Sequence, residues 1–379
     1  MRVCVLSHHR APYRDPVFTE VHRRRNIELC VLTMFPTDTN HPYRVEPDGG
    51  YPNTQLRKGF RILSRSWLHP GIVTALVRGK FDAVVVPGYF DVTLILAMLY
   101  CWASGTPLIY SGDTIEYPNK PARKWLLRAI LKQAAAVWVP GSASRALIEK
   151  CGMKNDRIFE GAYCLDYTYL KHSLDDRRLK RNEFRRSLDI ALEDFAFLFV
   201  GRMIPERGLT HLVNAFAGVC AADAHACLVL VGDGPDCDEV KRLVSAQGLS
   251  RVRFVSPTDF ETLYDFYAAA DAYVMPAIKE PYSLALAEAA IAGLPIVTTD
   301  SVGAVADYVR RGTGIIVPAG DPMALKNAML ELSRDESAAQ AMGRLGQEQA
   351  SLRTAKWAAD QLERAVFAAV SSSAPGRSV

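Results

Sequence analysis

Two glutamates eight residues apart, Glu280 and Glu288, bracket the run EPYSLALAE, and two arginines five residues apart, Arg202 and Arg207, stand in GRMIPERGL. With Ser283 as the cap of a short helix, Glu280 lies in the loop before it and Glu288 more than one turn inside. The two carboxylates are then about 10 Å apart along the axis. Between them the amides of Ser283 and Leu284 open the helix, where orphan N–H groups and the helix dipole favour an anion. One molecule satisfies that layout: a sugar ring on Glu280, a diphosphate at the helix start, and a ribose whose vicinal hydroxyls donate to Glu288, with Tyr282 alongside. Alone, such a glutamate pair is equally a solvated helix face plus a dipole-favouring charge. The arginines shift that balance, because guanidinium forks fit phosphate oxygens. An ion pair with Glu206 would account for either arginine but poorly for both. Gly201 is expected to let the ligand approach, and Gly208 to relax the chain at the next helix. The turn Val231-Gly232-Asp233-Gly234-Pro235, with Val255 and Ser256 after the following strand, is expected to wall the base side of the site.

These residues need elements to hold them. Short β-branched runs alternate with helical periodicity through both halves, which predicts α/β architecture: two doubly wound parallel sheets covered by helices. The expected strands are Val3–Ser7, Leu29–Thr33, Ala83–Pro87, Leu108–Ser111 and Val137–Pro140, then Phe195–Val200, Leu228–Val231, Val252–Val255, Ala272–Met275, Ile296–Thr299 and Gly314–Val317. The dense mixed charge of Lys171–Asp189 reads as an exposed linker or surface helix, so the domains are drawn as 1–170 and 171–350. Residues 351–379 are read as a C-terminal helix packing back on the first domain, with a frayed tail. Ligands of such sheets bind at the carboxyl ends of the strands, and the active site is expected in a cleft between the domains.

Composition narrows the classes. The chain has 379 residues, 49% of them hydrophobic, enough for two cores. Its longest apolar runs fall short of the ~20 residues of a membrane helix, and the N-terminus lacks the pattern of a signal peptide. A cytoplasmic protein is expected. The eight cysteines show no CxxC pair and are read as reduced and structural, and Cys220, Cys227 and Cys237 with His225 match no zinc spacing. No metal site is expected. Residues 1–170 carry 22 Lys/Arg against 14 Asp/Glu, so the first half favours phosphate-bearing partners or an anionic membrane surface, with no motif for nucleic acid.

A site for a second ligand is sought in that basic half. Asp113, after the strand Leu108–Ser111, is placed by strand-end logic, although an Asx cap accounts for it as well. Glu116, Arg14 and His9 are further candidates. Two stretches interleave cations with apolar side chains: Arg57–Trp67, and the helix from Pro121, where Lys124, Arg128 and Lys132 run beside Trp125, Leu126, Ile130 and Leu131. Such faces suit an anionic lipid surface and a polyprenyl-linked acceptor; an ordinary covering helix with a solvated basic side is the alternative.

Residues 195–330 resemble the nucleotide-binding domain of the family 4 retaining glycosyltransferases of the GT-B fold. The resemblance rests on the GR…ERG loop, LVGDGP, Tyr264–Pro276 (YDFYAAADAYVMP) and the E-x7-E run EPYSLALAE, in that order. APYRDPVF, SGDT at 111–114 and RIFEGAYCLD at 157–166 extend it more weakly into the first half. It implies two Rossmann-like domains facing across a cleft and transfer of a hexose-type sugar with retention. The donor is a nucleotide diphosphate sugar, UDP before GDP, and the acceptor a glycan or lipid-linked molecule in polysaccharide synthesis. Arg202 and Arg207 then bind the donor diphosphate, Glu288 the ribose, and Glu280 the transferred sugar near the reaction centre. No cofactor is implied, and with no DxD-like pair at a strand end the arginines take the role of a metal. The chain departs from the pattern at Arg207, where the family usually has lysine, and after the first strand, where His8–Arg14 replaces a Gly-Gly pair. A GT-B nucleotide-sugar epimerase and a transferase acting on a soluble small acceptor are the rival expectations; a dinucleotide oxidoreductase lacks its GxGxxG.

Overall fold

The computed structural model describes residues 1–11, 13–35, 50–56, 59–63, 66–310 and 312–372. The chain divides into two compact units. Met1–Cys164 forms the first together with the segment from Thr354, and Leu165–Arg353 forms the second.

The first unit contains β1 (Arg2–Ser7), β2 (Glu28–Thr33), β3 (Asn53–Gln55), β4 (Phe60–Leu63), β5 (Ser66–Leu68), β6 (Ala83–Pro87), β7 (Leu108–Ser111), β8 (Ala136–Trp138) and β9 (Ile158–Phe159). Seven of these make a parallel sheet in the order β3-β2-β1-β6-β7-β8-β9, and β4 and β5 form a separate antiparallel pair. Because side chains alternate across a strand, one face gathers Cys4, Leu6, Val84, Val86, Tyr110 and Val137, and the other Val3, Val5, Val85, Ile109 and Trp138. Both sets are buried, which is why the strands read as continuous apolar runs. The second face is closed by the helix Ala355–Ser372 through Ala358, Ala359, Leu362, Ala365, Val366 and Ala369. Its small side chains allow close approach to the sheet, and Arg24 ties it down at Asp360 (2.5 Å).

The second unit holds β10 (Phe195–Val200), β11 (Ala226–Val231), β12 (Val252–Val255), β13 (Ala272–Met275), β14 (Ile296–Thr299) and β15 (Gly314–Val317) in one parallel sheet, order β12-β11-β10-β13-β14-β15. The charged stretch 171–189 is not an open linker. It forms the end of the helix Tyr167–Arg178 and the helix Arg181–Ser187, and Arg185 is buried with Nη1 on Asp271 at 3.1 Å. Arg181 and Arg185, which look solvated in sequence, share a single remote partner, Asp271.

Candidate functional site

In the second unit the chain lays down β10 first, extends to β11 and β12 on one side, then crosses to β13 on the other flank of β10. The loops leaving β10 and β13 diverge at this switch point, and a crevice opens there in parallel sheets. Those loops are 201–208 and 276–283, the two that carry the arginines and Glu280. They are stitched together: the Glu206 carbonyl accepts from the amides of Ile278 (2.8 Å) and Lys279 (3.1 Å). Across that seam Arg207 forms an ion pair with Glu280, not with Glu206. Glu280 Oε1 also accepts from the amide of Tyr282 at 3.3 Å. Burial, with the neighbouring Arg202 cation as a lesser cause, pulls the Arg207 pKa below its usual value, although a guanidinium so far above neutrality stays charged. Arg202 is exposed and makes no ion pair among the described residues. Two cations thus stand close to each other, with Glu280 paired to Arg207 and the Glu206 carboxylate also acting on Arg207, while Arg202 is left without an ion pair for an anion to supply.

Ser283 caps the helix Leu284–Ile291, its Oγ accepting from the Leu286 amide at 3.2 Å. That leaves the amides of Leu284 and Ala285 without an intrahelical partner. Ser283 holds this place at φ 78°, a left-handed conformation uncommon outside glycine. The buried Tyr273 on β13 bonds the Ser283 side chain, reaches the Val200 carbonyl at 3.4 Å, and feels the charges of both Arg207 and Glu288. One turn further along, Glu288 is buried and its Oε2 accepts from the Tyr267 hydroxyl at 2.8 Å. Burial raises the Glu288 pKa to about 7 against the opposing pull of that hydrogen bond. The site therefore runs from Arg202 and Arg207 through Tyr273 and Ser283 to Tyr267 and Glu288.

Gly208 takes φ 66° at the start of the helix Leu209–Ala222, the relaxation expected of it, and three glycines of these turns also serve the packing of loop against loop. A Cβ on Gly232 would strike the Gly201 carbonyl, one on Gly234 the Met203 carbonyl, and one on Gly208 the Pro276 carbonyl. Their missing side chains let loops 201–208, 232–236 and 276–283 lie against one another, with Met203 N on Asp233 O at 2.8 Å. The expectation that Tyr282 lines the donor is corrected: its ring is buried, its hydroxyl under the electrostatic influence of Tyr308, Asp307 and Arg353, and its backbone amide serves the Glu280 loop. Ile130 and Leu131 of the basic helix Pro121–Gln133 are buried in the core, as in the covering-helix alternative, while Trp125 is exposed. Val255 joins the GDGP turn only through its carbonyl, which accepts from Gly232 N at 3.0 Å on the edge strand β12; Ser256 is exposed.

Tyr267, Tyr273 and the segment 300–304 were missed in sequence. Glu280 N donates to Ser301 O (3.2 Å) and Gly303 N to Glu280 O (2.9 Å), so the Glu280 loop is anchored by backbone bonds that no side-chain pattern announces. The two tyrosines lie inside the quoted Tyr264–Pro276 run, where a tyrosine in an apolar stretch reads as core.

In the first unit the structure brings Arg14 and Asp113 together around Tyr163. The Tyr163 hydroxyl donates to Asp113 Oδ2 at 3.3 Å, and the Arg14 guanidinium lies 5.3 Å from the Tyr163 ring centre. Glu116 is exposed, with its carbonyl taken by Thr114 Oγ1, and the His9 carbonyl accepts from Ser7 Oγ at 2.6 Å. Arg57, Lys58 and Arg65 of the other basic stretch lie outside the described residues, as do Pro12 and residues 373–379. Among the described residues there is no group of three His, Cys, Asp or Glu side chains that could hold a metal, and no helix long and apolar enough to cross a membrane.

Residues 180–349 match the family described as Glycosyl transferases group 1. The chain is 28% identical to the D-inositol 3-phosphate glycosyltransferase of Nocardia farcinica, over 90% of this chain and 84% of that one. It is 26% identical to the protein of the same name from Thermomonospora curvata, over 88% of each. Among solved structures, Anabaena HepE in complex with UDP superposes with a TM-score of 0.76 at 17% identity, covering 96% of this chain and 98% of that one. Sucrose-phosphate synthase of Thermosynechococcus elongatus superposes at 0.72 with 21% identity, covering 97% and 99%. The fold is GT-B, with a parallel sheet in each of two Rossmann-like units.

Proposed function

We propose that this protein is a retaining glycosyltransferase that takes a hexose from a nucleotide diphosphate sugar, UDP in preference to GDP, without a metal ion. The observation that carries the reading is the row of groups in the second unit. Two adjacent guanidiniums, the free amides of a capped helix and a buried carboxylate succeed one another in the order sugar diphosphate, ribose and base require. Arg202 and Arg207 neutralise the diphosphate as the anomeric C–O bond breaks, the task a metal performs elsewhere. The acceptor oxygen bonds to the anomeric carbon on the face the diphosphate leaves, and a departing diphosphate oxygen takes its proton. Glu280, already engaged by Arg207 and the Tyr282 amide, orients Arg207 and accepts from a sugar hydroxyl; it is not the nucleophile of a covalent intermediate. The likeness to a UDP complex and the glycosyltransferase family match support this assignment.

For the acceptor, a lipid-linked glycan draws support from the first unit. Trp125 is 71% and Phe90 63% exposed, with Arg123 6.0 Å from the Phe90 ring centre and Lys124 4.5 Å from that of Tyr117. Cations beside exposed aromatic rings suit an anionic interface. A phosphorylated small molecule is the second reading, favoured by the names of the two bacterial relatives. The decisive experiment is a thermal-shift panel of UDP, GDP, ADP and dTDP with EDTA present. UDP is expected to raise the melting temperature most, and Glu288→Ala to remove that shift. A shift unchanged in the variant, or a response to no nucleotide, refutes the donor site.

A further inference from the structure

The loop after β1 carries two arginines with opposite fates. Arg10 is neutralised: its Nε and Nη2 meet Asp15 Oδ2 at 2.9 and 2.8 Å. Arg14, four residues on at the start of the helix Asp15–Arg24, is 8% exposed and has no carboxylate. Its Nε is sealed from solvent with no hydrogen-bond partner, and its terminal nitrogens bond to nothing among the described residues. What lies against it is aromatic: the Tyr163 ring centre at 5.3 Å and that of Tyr13 at 5.9 Å. Tyr13 and Tyr163 pack edge to face, 5.1 Å between centres, and Tyr163 is fixed at its far end by Asp113. Cation–π contact holds a guanidinium in place but leaves its in-plane donors unused. A buried cation with unused donors is costly unless a ligand supplies the counter-charge. The cost is borne beside the β1–β6 switch point of the first sheet, where parallel sheets bind ligands.

We propose that Arg14 is the receptor for a phosphate group carried by the acceptor, with Asp113 accepting from an acceptor hydroxyl on the other side of Tyr163. The word acceptor rests on the function proposed above; the phosphate site itself does not. A phosphorylated polyol and a polyprenyl phosphate present the same chemistry to the fork, so the test has two arms.

With UDP saturating the donor site, inorganic phosphate is titrated calorimetrically into the full chain, and in parallel the protein is floated with phosphatidylcholine vesicles containing or lacking polyprenyl phosphate. Arg14→Gln is expected to weaken phosphate binding at least tenfold and leave UDP affinity unchanged, while Arg14→Lys, which keeps charge but not the fork, falls between. Binding to free phosphate identifies a soluble acceptor; binding only to the phosphate-bearing vesicles, lost in Arg14→Gln, identifies a lipid-linked one. Wild-type protein that binds neither probe overturns the proposal. So does phosphate binding indifferent to both substitutions, or a parallel loss of UDP affinity, which would assign Arg14 to the donor. Phosphate captured through Arg14 by a chain that binds no UDP would sink the donor reading and leave this site standing.

Discussion

A carboxyl group whose pKa lies near 7, buried against one tyrosine, makes Glu288 the most pH-sensitive member of the site. In the unfolded chain it ionises near the ordinary glutamate value, so the folded state is penalised as pH rises from about 4.5 to about 7. Above that window the penalty levels off at roughly 3 kcal/mol. Glu288→Gln, which cannot ionise, should match wild type in urea unfolding at pH 4 and exceed it by up to about 3 kcal/mol at pH 8; a constant difference across that range would mean that folding does not shift the carboxyl's pKa. Ligand affinity should move the other way. A ribose diol donates both hydroxyls only to the carboxylate, so UDP affinity should rise by about tenfold per pH unit below 7 and level above it. Calorimetric titrations from pH 5.5 to 8.5 that gave the same slope for wild type and Glu288→Gln would remove Glu288 from the binding site. The arginines were legible in sequence because two guanidiniums in a loop after a strand have few structural reasons to be there, and Glu288 through its spacing from Glu280 across a short capped helix. Tyr267 and Tyr273 were not, since burial is the ordinary fate of an aromatic in such a run.

Among the elements, the short helix Leu284–Ile291 bears the largest share of the site, and its first residue is strained. Ser283 supplies a cap worth about 1 kcal/mol but holds φ 78° to do so. Ser283→Ala loses the cap and keeps the strain, whereas Ser283→Gly loses the cap and relieves it. Denaturant unfolding should therefore rank wild type and Ser283→Gly close together, with Ser283→Ala about 1 kcal/mol below; equal losses in both variants would show that the backbone there is unstrained. The same contrast between pattern and geometry separates the strands that were readable from those that were not. Phe195–Val200 and Ile296–Thr299 are buried on both faces and so appear as runs of apolar and β-branched residues. Asn53–Gln55 is three exposed polar residues paired to β2 through the backbone and one Thr33–Asn53 side-chain hydrogen bond, and Ile158–Phe159 is two residues long. Strand Ala136–Trp138 ends two residues before the expected Pro140, where apolar content outlasts the ladder. Mixed charge at 171–189 marked surface helices, one of its two readings, but not the burial of Arg185, because Asp271, which pairs with Arg181 and Arg185, is remote in sequence.

At the scale of the whole molecule, both sheets were readable from alternating strand and helix patterns, and what escaped is long-range partnership, such as the β10 and β13 loops locking through glycines. The return of Ala355–Ser372 to the first unit sets a further expectation. A chain ending at Arg353 leaves Val3, Val5, Val85 and Ile109 without their cover, while Leu165–Arg353 is intact. Hydrogen exchange on that truncated chain should show lost protection in β1, β6 and β7 and native protection in β10 and β13. Uniform protection in both sheets would mean the helix is dispensable. The order of synthesis turns this into a matter of timing. When the ribosome has made β1 to β9, the helix that seals one face of their sheet is still about 190 residues from being translated, a delay of about 10–40 s at ordinary elongation rates. For that interval the nascent chain offers a sticky, half-finished sheet to its surroundings while the later unit folds ahead of it, and chaperone demand should peak there rather than after release.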